Sequence, residues 1–163
     1  MDEFSIRDEL ERIVEELNID RKDFHEAGKV QWIEIIHKTE EVFLQKKHFS
    51  NCLHWGWNFL KEPQFSLGFV KDDAYAYLPK LIDEEYVWFM VEDYKDKIWV
   101  YEVNKAIISN VIAESMQLRE YYLVSKKFEW ILCENHHGIL CGSGNEIVSK
   151  MRSLKELHSE KVY

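Results

Sequence analysis

The stretch YVWFMVEDYKDKIWVYEV, residues 86–103, decides the fold. Two runs rich in Val, Ile, Trp, Tyr and Phe flank a polar segment, Asp93 to Lys97, which is the pattern of two strands joined by a tight turn. The first run, Tyr86 to Val91, is apolar without alternation, and such a run indicates a strand covered on both faces. The sequence therefore predicts a sheet in which Tyr86 to Val91 is an interior strand.

Helical patterns precede this hairpin. Ser5 and Asp8 form a start signal of the Ser-x-x-acid kind, and residues 5–17 carry apolar residues at helical spacing. The residues expected on the inward face are Ile6, Leu10, Ile13, Val14 and Leu17. A polar link over residues 18–29 leads to a second helical pattern at about residues 30–47. The inward residues expected there are Trp32, Ile33, Ile36, Phe43 and Leu44.

Shorter elements are indicated on both sides of the hairpin. QFSLGFV, residues 64–70, predicts a short strand, and Pro79 marks a turn or a short helix. Asn104 can cap a helix that follows the hairpin. The apolar residues at helical spacing in that helix are Ile107, Ile108, Val111, Ile112 and Met116.

The last part of the chain returns to strands and ends in a helix. Residues 120–142, EYYLVSKKFEWILCENHHGILCG, predict three strands with turns near Lys126 and at His136 to Gly138. Ser143 and Glu146 form the start signal of a last helix. Its inward residues are expected to be Ile147, Val148, Met151 and Leu154.

These patterns together predict an α+β fold. We expect one domain over residues 1–163, with two N-terminal helices, a mostly antiparallel sheet of five to six strands, one helix between hairpins and a C-terminal helix. The sequence contains neither an internal repeat nor a linker rich in Pro, Gly or Ser that would divide it.

Composition indicates a folded cytoplasmic protein. Hydrophobic residues make up 46% of the 163 residues, with only two prolines. No apolar run reaches the roughly 20 residues that span a bilayer, and the acidic start MDEFSIRDEL is unlike a signal peptide, so no membrane partner is expected. Three cysteines, an odd number without a disulfide framework, suit a reducing compartment.

The net charge of -9 is unevenly distributed. Residues 1–102 contain 23 acidic and 13 basic side chains, whereas residues 103–163 contain 7 and 8. An acidic half disfavours nucleic acid as a partner, because phosphate contacts need Lys and Arg. It suits a partner with a basic surface, since complementary charge raises association rates. Solubility is the alternative explanation.

The stretch CENHHGILCGSG, residues 133–144, contains the residue types of a reactive or metal site. A three-residue hairpin loop, His136 to Gly138, explains it as well: Gly138 takes a left-handed backbone angle and Cys133 lies opposite Cys141. A structural zinc site needs four ligands, and this hairpin offers at most three, so we expect neither a metal nor a cofactor. The absence of a Cys-x-x-Cys motif argues against a redox pair.

The patterns of known enzyme centres are incomplete in the same stretch. The following helix lacks the metal ligands of a ββα nuclease, and GSGNE lacks the Lys-Ser/Thr of a P-loop. There is no nucleophile elbow. We therefore expect a protein that is not an enzyme. The alternative is a metal-dependent or hydrolytic enzyme centred on His136 and His137, whose adjacent imidazoles are the least ordinary polar feature of the sequence.

Two hairpin tips and one tryptophan are the candidate binding residues. The β-hairpin of residues 86–103 presents Glu92, Asp93 and Tyr94, and the later hairpin presents Asn135, His136 and His137. In HWGWNFL, residues 54–60, Trp55 and Trp57 flank Gly56 among polar neighbours. A tryptophan near a loop, such as Trp57, is a good interface anchor, although a place in the core explains it too.

Two segments carry a resemblance to a known family. At WFMVEDYKDKIWVYE, residues 88–102, and at EYYLVSKKFEWILCENHHGILCGSG, residues 120–144, the chain resembles an uncharacterised family of small acidic bacterial cytoplasmic proteins. The resemblance extends from about Trp32 onward and implies no established activity. That family is similar in size, acidity and α+β character to immunity proteins of bacterial polymorphic-toxin systems, including the SUKH type. By this analogy we expect a macromolecule-binding module, an immunity-like protein that binds a basic, toxin-like partner.

Overall fold

The helices and strands of the protein are given by a computed structural model that describes residues 5–45 and 53–163. The α-helices in these residues are α1 Ile6–Glu16, α2 Gln31–Phe43, α3 Leu78–Leu81, α4 Lys105–Glu114 and α5 Asn145–Leu157. The strands are β1 Phe24–Glu26, β2 Gln64–Leu67, β3 Tyr86–Glu92, β4 Ile98–Asn104, β5 Tyr121–Ser125, β6 Ile131–Glu134 and β7 Leu140–Ser143. The predicted α+β class is confirmed.

The strands form one antiparallel sheet with the order β1-β4-β3-β5-β6-β7-β2. β3 lies between β4 and β5, so the predicted interior position of Tyr86 to Val91 is confirmed. The prediction of five to six strands was too low, because the sheet has seven strands within residues 5–45 and 53–163. The missed strand is β1, in which only three residues pair, Phe24 with Val103 among them. So short a strand in a polar stretch leaves no alternating pattern to read.

The sheet has a hydrophobic core on each face. One core joins α1, α3, α4 and α5 to the side chains of Val87, Phe89 and Val91. The other joins α2 and residues near position 53 to Trp88 and Met90. Successive side chains of a strand point to opposite faces, so an unbroken apolar run such as β3 can serve both cores.

The predicted helix starts are mostly confirmed. The Asp8 backbone N–H donates to Ser5 Oγ (3.2 Å), and the Ala106 backbone N–H donates to Asn104 Oδ1 (2.9 Å). The predicted cap of the last helix is wrong. Ser143 belongs to β7 and its hydroxyl donates to the Lys61 carbonyl oxygen (2.6 Å), while Gly144 precedes α5.

Some of the predicted inward positions are wrong as well. Leu17 follows the last residue of α1 and is 39% exposed, and Met116 lies beyond α4 and is 89% exposed. Ile33 is 43% exposed, whereas its neighbour Ile35 is buried.

The second helix is also shorter than predicted. It stops at Phe43, because Leu44 is extended and forms a β-bridge with Leu60. Positions 46 and 47 of the predicted helix lie outside the described residues. In the ranges that the structure describes, no helix has the length and apolar character needed to cross a membrane.

Candidate functional site

Three neighbouring strands bring polar side chains to one edge of the sheet. Glu92 ends β3, Glu120 directly precedes β5, and His136 follows β6. The antiparallel register pairs Val91 with Tyr121 and Tyr121 with Glu134, so these strand ends lie side by side.

The segment that precedes β2 completes this site. Together the segments form an open cleft of about 460 Å³, which we call the edge cleft; its polar and aromatic lining includes His54, Trp55, Glu92, Arg119, Glu120 and His136. Five separate parts of the chain therefore contribute to one concave surface, since Ile6 of α1 lines it as well.

Two histidine–glutamate pairs lie in the edge cleft. His54 Nδ1 is 2.5 Å from Glu92 Oε1, and His136 Nδ1 is 2.6 Å from Glu120 Oε1. A hydrogen bond from Nδ1–H to a carboxylate orients an imidazole and leaves its Nε2 available to a ligand or a proton. Both rings are thus held in position for contact with whatever enters the cleft.

Glu120 organises the part of the cleft near the His136 loop. Its Oε1 also accepts hydrogen bonds from the His136 backbone N–H (3.3 Å) and from Trp57 Nε1–H (3.2 Å). One carboxylate oxygen therefore fixes an imidazole, a loop and an indole. A charged acceptor makes such hydrogen bonds stronger than neutral ones.

Aromatic rings from the segment before β2 and from the loop after β6 cluster at the cleft. Trp55 is 49% exposed and stacks on Trp57 with ring centroids 6.5 Å apart and planes 18° apart. The His136 ring lies 5.8 Å from Trp55 and 5.9 Å from Trp57, while the His137 ring meets Trp57 edge-on at 6.2 Å. The four rings form one continuous cluster.

Trp55 also has an uncommon backbone conformation. Its φ of 59° is left-handed, which for a bulky residue costs on the order of 1 kcal/mol or more. Such strain persists where surrounding structure imposes it, and it is concentrated at binding and catalytic sites. Here it accompanies an indole that is half exposed to solvent.

The charge of the cleft is negative. Glu92, Asp93 and Glu120 contribute three carboxylates, and Arg119 contributes one guanidinium. Indole faces and carboxylates together suit a cationic ligand, because the ring quadrupole and the negative charge both attract it.

Two of the three residues predicted at the first hairpin tip line the cleft. Glu92 and Asp93 line it. Asp93 also holds its own hairpin together, since Oδ1 accepts from the Tyr94 backbone N–H and Oδ2 accepts from Trp99 Nε1–H, both at 2.8 Å. Tyr94 is exposed and does not line the cleft.

The second predicted tip is likewise divided between two roles. His136 lines the edge cleft, and His137 packs against Trp57. Asn135 is buried, and its Oδ1 accepts from the backbone N–H groups of His137 (3.0 Å) and Ile139 (3.1 Å). Asn135 therefore shapes the loop from inside and has no surface to offer a ligand.

The cysteines of this hairpin are structural neighbours. Cys133 and Cys141 are in register on β6 and β7, as predicted, and both are buried free thiols. Burial raises the pKa of each thiol above its ordinary value, which keeps the thiols protonated and unreactive. Cys52 lies outside the described residues.

One group of side chains in the described ranges has the spacing of metal ligands. Ligand atoms of His54, Glu92 and Asp96 lie within 4.8 Å of one another. The His54–Glu92 hydrogen bond already uses two of these atoms. The group offers three ligands at the surface, which fits a loosely held divalent cation better than a closed structural zinc site.

Sequence reasoning missed several of the cleft residues. Neither His54, Arg119 nor Glu120 was singled out, because nothing in their local sequence distinguishes them. Glu120 could have been found from strand register, since a residue just before β5 must lie opposite the residue just after β6.

Family comparison places the chain among known sequences. The model of DUF6756, a family of unknown function, matches residues 2–155. The chain belongs to this family. The predicted resemblance to an uncharacterised family is thereby confirmed, whereas the analogy to SUKH-type immunity proteins stays a prediction. Comparison with curated proteins and with solved structures gives no significant match, so DUF6756 membership brings no activity or partner with it.

Proposed function

We propose that this DUF6756 protein is a macromolecule-binding module whose edge cleft receives a basic segment of a partner protein. The observation that supports this most strongly is the half-exposed Trp55, which stands in a cleft with three carboxylates and a single guanidinium. Contact with an indole and a carboxylate is what a lysine or arginine side chain needs to replace its lost hydration.

Trp55 is the proposed anchor. It stacks on Trp57, whose indole N–H is bound by Glu120, so the exposed ring rests on a fixed support. A pre-positioned aromatic side chain binds without losing much side-chain entropy, which is why tryptophans are common among the residues that dominate interface energies.

Glu92 is the proposed charge partner. It is bound to His54 through Oε1, and it lies on the same cleft as Trp55. The acidic composition of residues 1–102 adds a long-range attraction that raises the association rate with a basic protein. If the analogy to immunity proteins holds, that partner is a toxin with a basic surface.

Isothermal titration with a six-residue arginine peptide tests the proposal. Trp55→Asn removes the indole while keeping a residue that accepts a left-handed backbone, and Glu92→Gln removes one charge. We expect each change to weaken binding about tenfold or more, and affinity to fall as salt rises. A lysine peptide of the same length should bind by the same residues.

Matched control variants separate the cleft from general attraction to an acidic protein. Glu156→Gln changes the net charge by the same amount on the exposed side of α5, and Leu157→Ala removes an exposed apolar side chain. Both should leave affinity within about twofold, because surface substitutions far from the site rarely matter. Equal losses in Glu92→Gln and Glu156→Gln would show that the peptide follows net charge and that the cleft is not its site.

Acid–base hydrolysis is the second candidate function, and the two histidine–glutamate pairs are the observation that favours it. His54 and His136 line one cleft with Nδ1 held by a carboxylate, so one Nε2 could accept a proton from water while the other donates to a leaving group. Arg119 would stabilise an anionic transition state. Turnover of bis(p-nitrophenyl) phosphate that is lost in both His54→Ala and His136→Ala, and kept in Trp55→Asn, would replace the binding module with this function.

A further inference from the structure

A second concave site lies at the start of β4, next to residues of α1 and the start of α2. Arg7 of α1, Lys29 and Trp32 near the start of α2, and Lys97 and Trp99 at the start of β4 line a pocket of about 230 Å³. We call these five residues the basic pocket. Its remaining lining is mostly apolar, with Ala27, Ile98 and Val100.

The charge of this pocket is opposite to that of the protein as a whole. The chain has a net charge of -9, and the pocket lies within the acidic residues 1–102. Even so, three cationic side chains line it against one carboxylate, that of Glu26.

Two of those cationic groups have no carboxylate partner among the described residues. Arg7 forms a two-point ion pair with Glu26, in which Nη2 is 3.3 Å from Oε2 and Nε is closer to Oε1. In residues 5–45 and 53–163, neither Lys29 nor Lys97 forms an ion pair with a carboxylate. The pocket therefore keeps an excess of positive charge.

Indole faces hold the cations in place. Lys97 Nζ lies 4.4 Å from the centre of the Trp99 ring and 5.7 Å from that of Trp32, and Arg7 Cζ lies 4.7 Å from the Trp99 ring. Trp99 is itself fixed, since its Nε1–H donates to Asp93 Oδ2. Two like charges gathered around one indole repel each other, and an anion between them would relieve that repulsion.

We propose that the basic pocket binds a small organic anion, a phosphate or carboxylate carried on a compact apolar body. The positive side chains would bind the anionic group through charge-assisted hydrogen bonds. Ala27, Ile98 and Val100 would contact the apolar body. The volume of about 230 Å³ is below the roughly 300 Å³ at which ligand sites usually begin, which restricts the ligand to a small molecule. This site is separate from the edge cleft and does not depend on the function proposed for it.

Titration with three probes tests the proposal: phenyl phosphate, benzoate and inorganic phosphate. Binding is followed by the indole N–H signals of Trp32 and Trp99 in ¹H–¹⁵N spectra. We expect phenyl phosphate or benzoate to move both signals, with inorganic phosphate weaker because it lacks an apolar body. The stronger of the two organic probes identifies the preferred anionic group.

Variants at the lysines identify the site. Lys97→Gln and Lys29→Gln should each weaken the binding of the better organic probe about tenfold, because each removes one charged donor. Lys22→Gln removes the same charge from an exposed position outside the pocket and should change the dissociation constant by less than about twofold.

Three results would overturn the proposal. In the first, neither indole signal moves at about 10 mM of any probe, which would mean that any binding is weaker than at ordinary small-ligand sites. In the second, Lys22→Gln weakens binding as much as Lys97→Gln, which would mean attraction without a site. In the third, inorganic phosphate binds as tightly as phenyl phosphate, which would show that the pocket does not recognise an apolar body on the anion.

Discussion

Replacing Glu9 with alanine should destabilise the protein far more than an ordinary surface substitution. Glu9 lies on the inward face of α1 and is 4% exposed. Its carboxylate accepts hydrogen bonds from the Met116 backbone N–H (2.7 Å), the Gln117 backbone N–H (3.1 Å) and the Ser115 hydroxyl (2.8 Å). It thereby ties the chain that follows α4 to the first helix.

The magnitude follows from those three hydrogen bonds. A hydrogen bond to a charged group contributes about 1.5–3 kcal/mol, and a buried donor left without a partner costs about 1–3 kcal/mol. Water can reach part of this segment, since Met116 is exposed, so the full sum does not apply. We expect Glu9→Ala to lower the free energy of unfolding by about 3 kcal/mol and Glu9→Gln, which keeps an acceptor, by about 1 kcal/mol.

Equilibrium unfolding in urea, followed by far-ultraviolet circular dichroism, measures the effect. Glu11→Ala is the matched control, because Glu11 belongs to the same helix but is exposed and forms an ion pair with Arg21 (2.6 Å). An exposed ion pair contributes about 0–1 kcal/mol. If Glu9→Ala cost no more than Glu11→Ala, the reasoning from buried hydrogen bonds would be refuted. The same variant should weaken binding in the edge cleft, because the segment that Glu9 ties down continues to Arg119.

Three further predictions concern Glu134, Gly144 and the two cysteines of the sheet. Burial raises the pKa of the Glu134 carboxyl. The free energy of unfolding should therefore fall as pH rises from the ordinary carboxyl range through that raised pKa, and then level off. Glu134→Gln should flatten this dependence, which is measured by urea unfolding at several pH values. Gly144→Ala should cost about 2 kcal/mol or more in thermal unfolding, since φ is 119° and the added Cβ would lie 2.5 Å from the Glu129 carbonyl oxygen. Cys133 and Cys141 should react with a thiol reagent only after unfolding, and elemental analysis should find no stoichiometric zinc.

Much of the fold could be predicted because local chemistry and tertiary structure agree. The β3–β4 hairpin has an apolar run that needs cover on both faces, and the sheet supplies it. Asn104 caps α4, and Gly138 has the left-handed backbone angle that its turn requires, with φ of 73°. At these positions the side chain or backbone preference of one residue determines the local structure.

Sequence reasoning failed for side chains whose hydrogen-bond partners lie far away in the sequence. Ser143 resembles a helix cap in the sequence, but its hydroxyl donates a hydrogen bond to the Lys61 carbonyl oxygen. Glu9 was not singled out, yet residues more than a hundred positions away donate to it. Neither contact leaves a trace in the sequence near the residue itself.

The edge cleft could be predicted only in part for the same reason. Both hairpin tips were singled out as polar, and Trp57 as a possible anchor, but their meeting at one sheet edge follows from strand order. Asn135 was predicted as a binding residue because it belongs to a hairpin tip, and its side chain accepts hydrogen bonds from the backbone N–H groups of His137 and Ile139. The basic pocket around Lys97 was missed as well, because charges were counted over half the chain and that half is acidic as a whole.

The most direct test of the account follows the six tryptophan indole N–H signals while the arginine peptide is added. Substitution of each tryptophan by phenylalanine assigns the signals. If the edge cleft binds a basic segment, the signals of Trp55 and Trp57 move with a common saturation curve, and the signal of buried Trp130 stays fixed. Saturable binding that leaves Trp55 and Trp57 unchanged would place the basic partner elsewhere and contradict the proposed function.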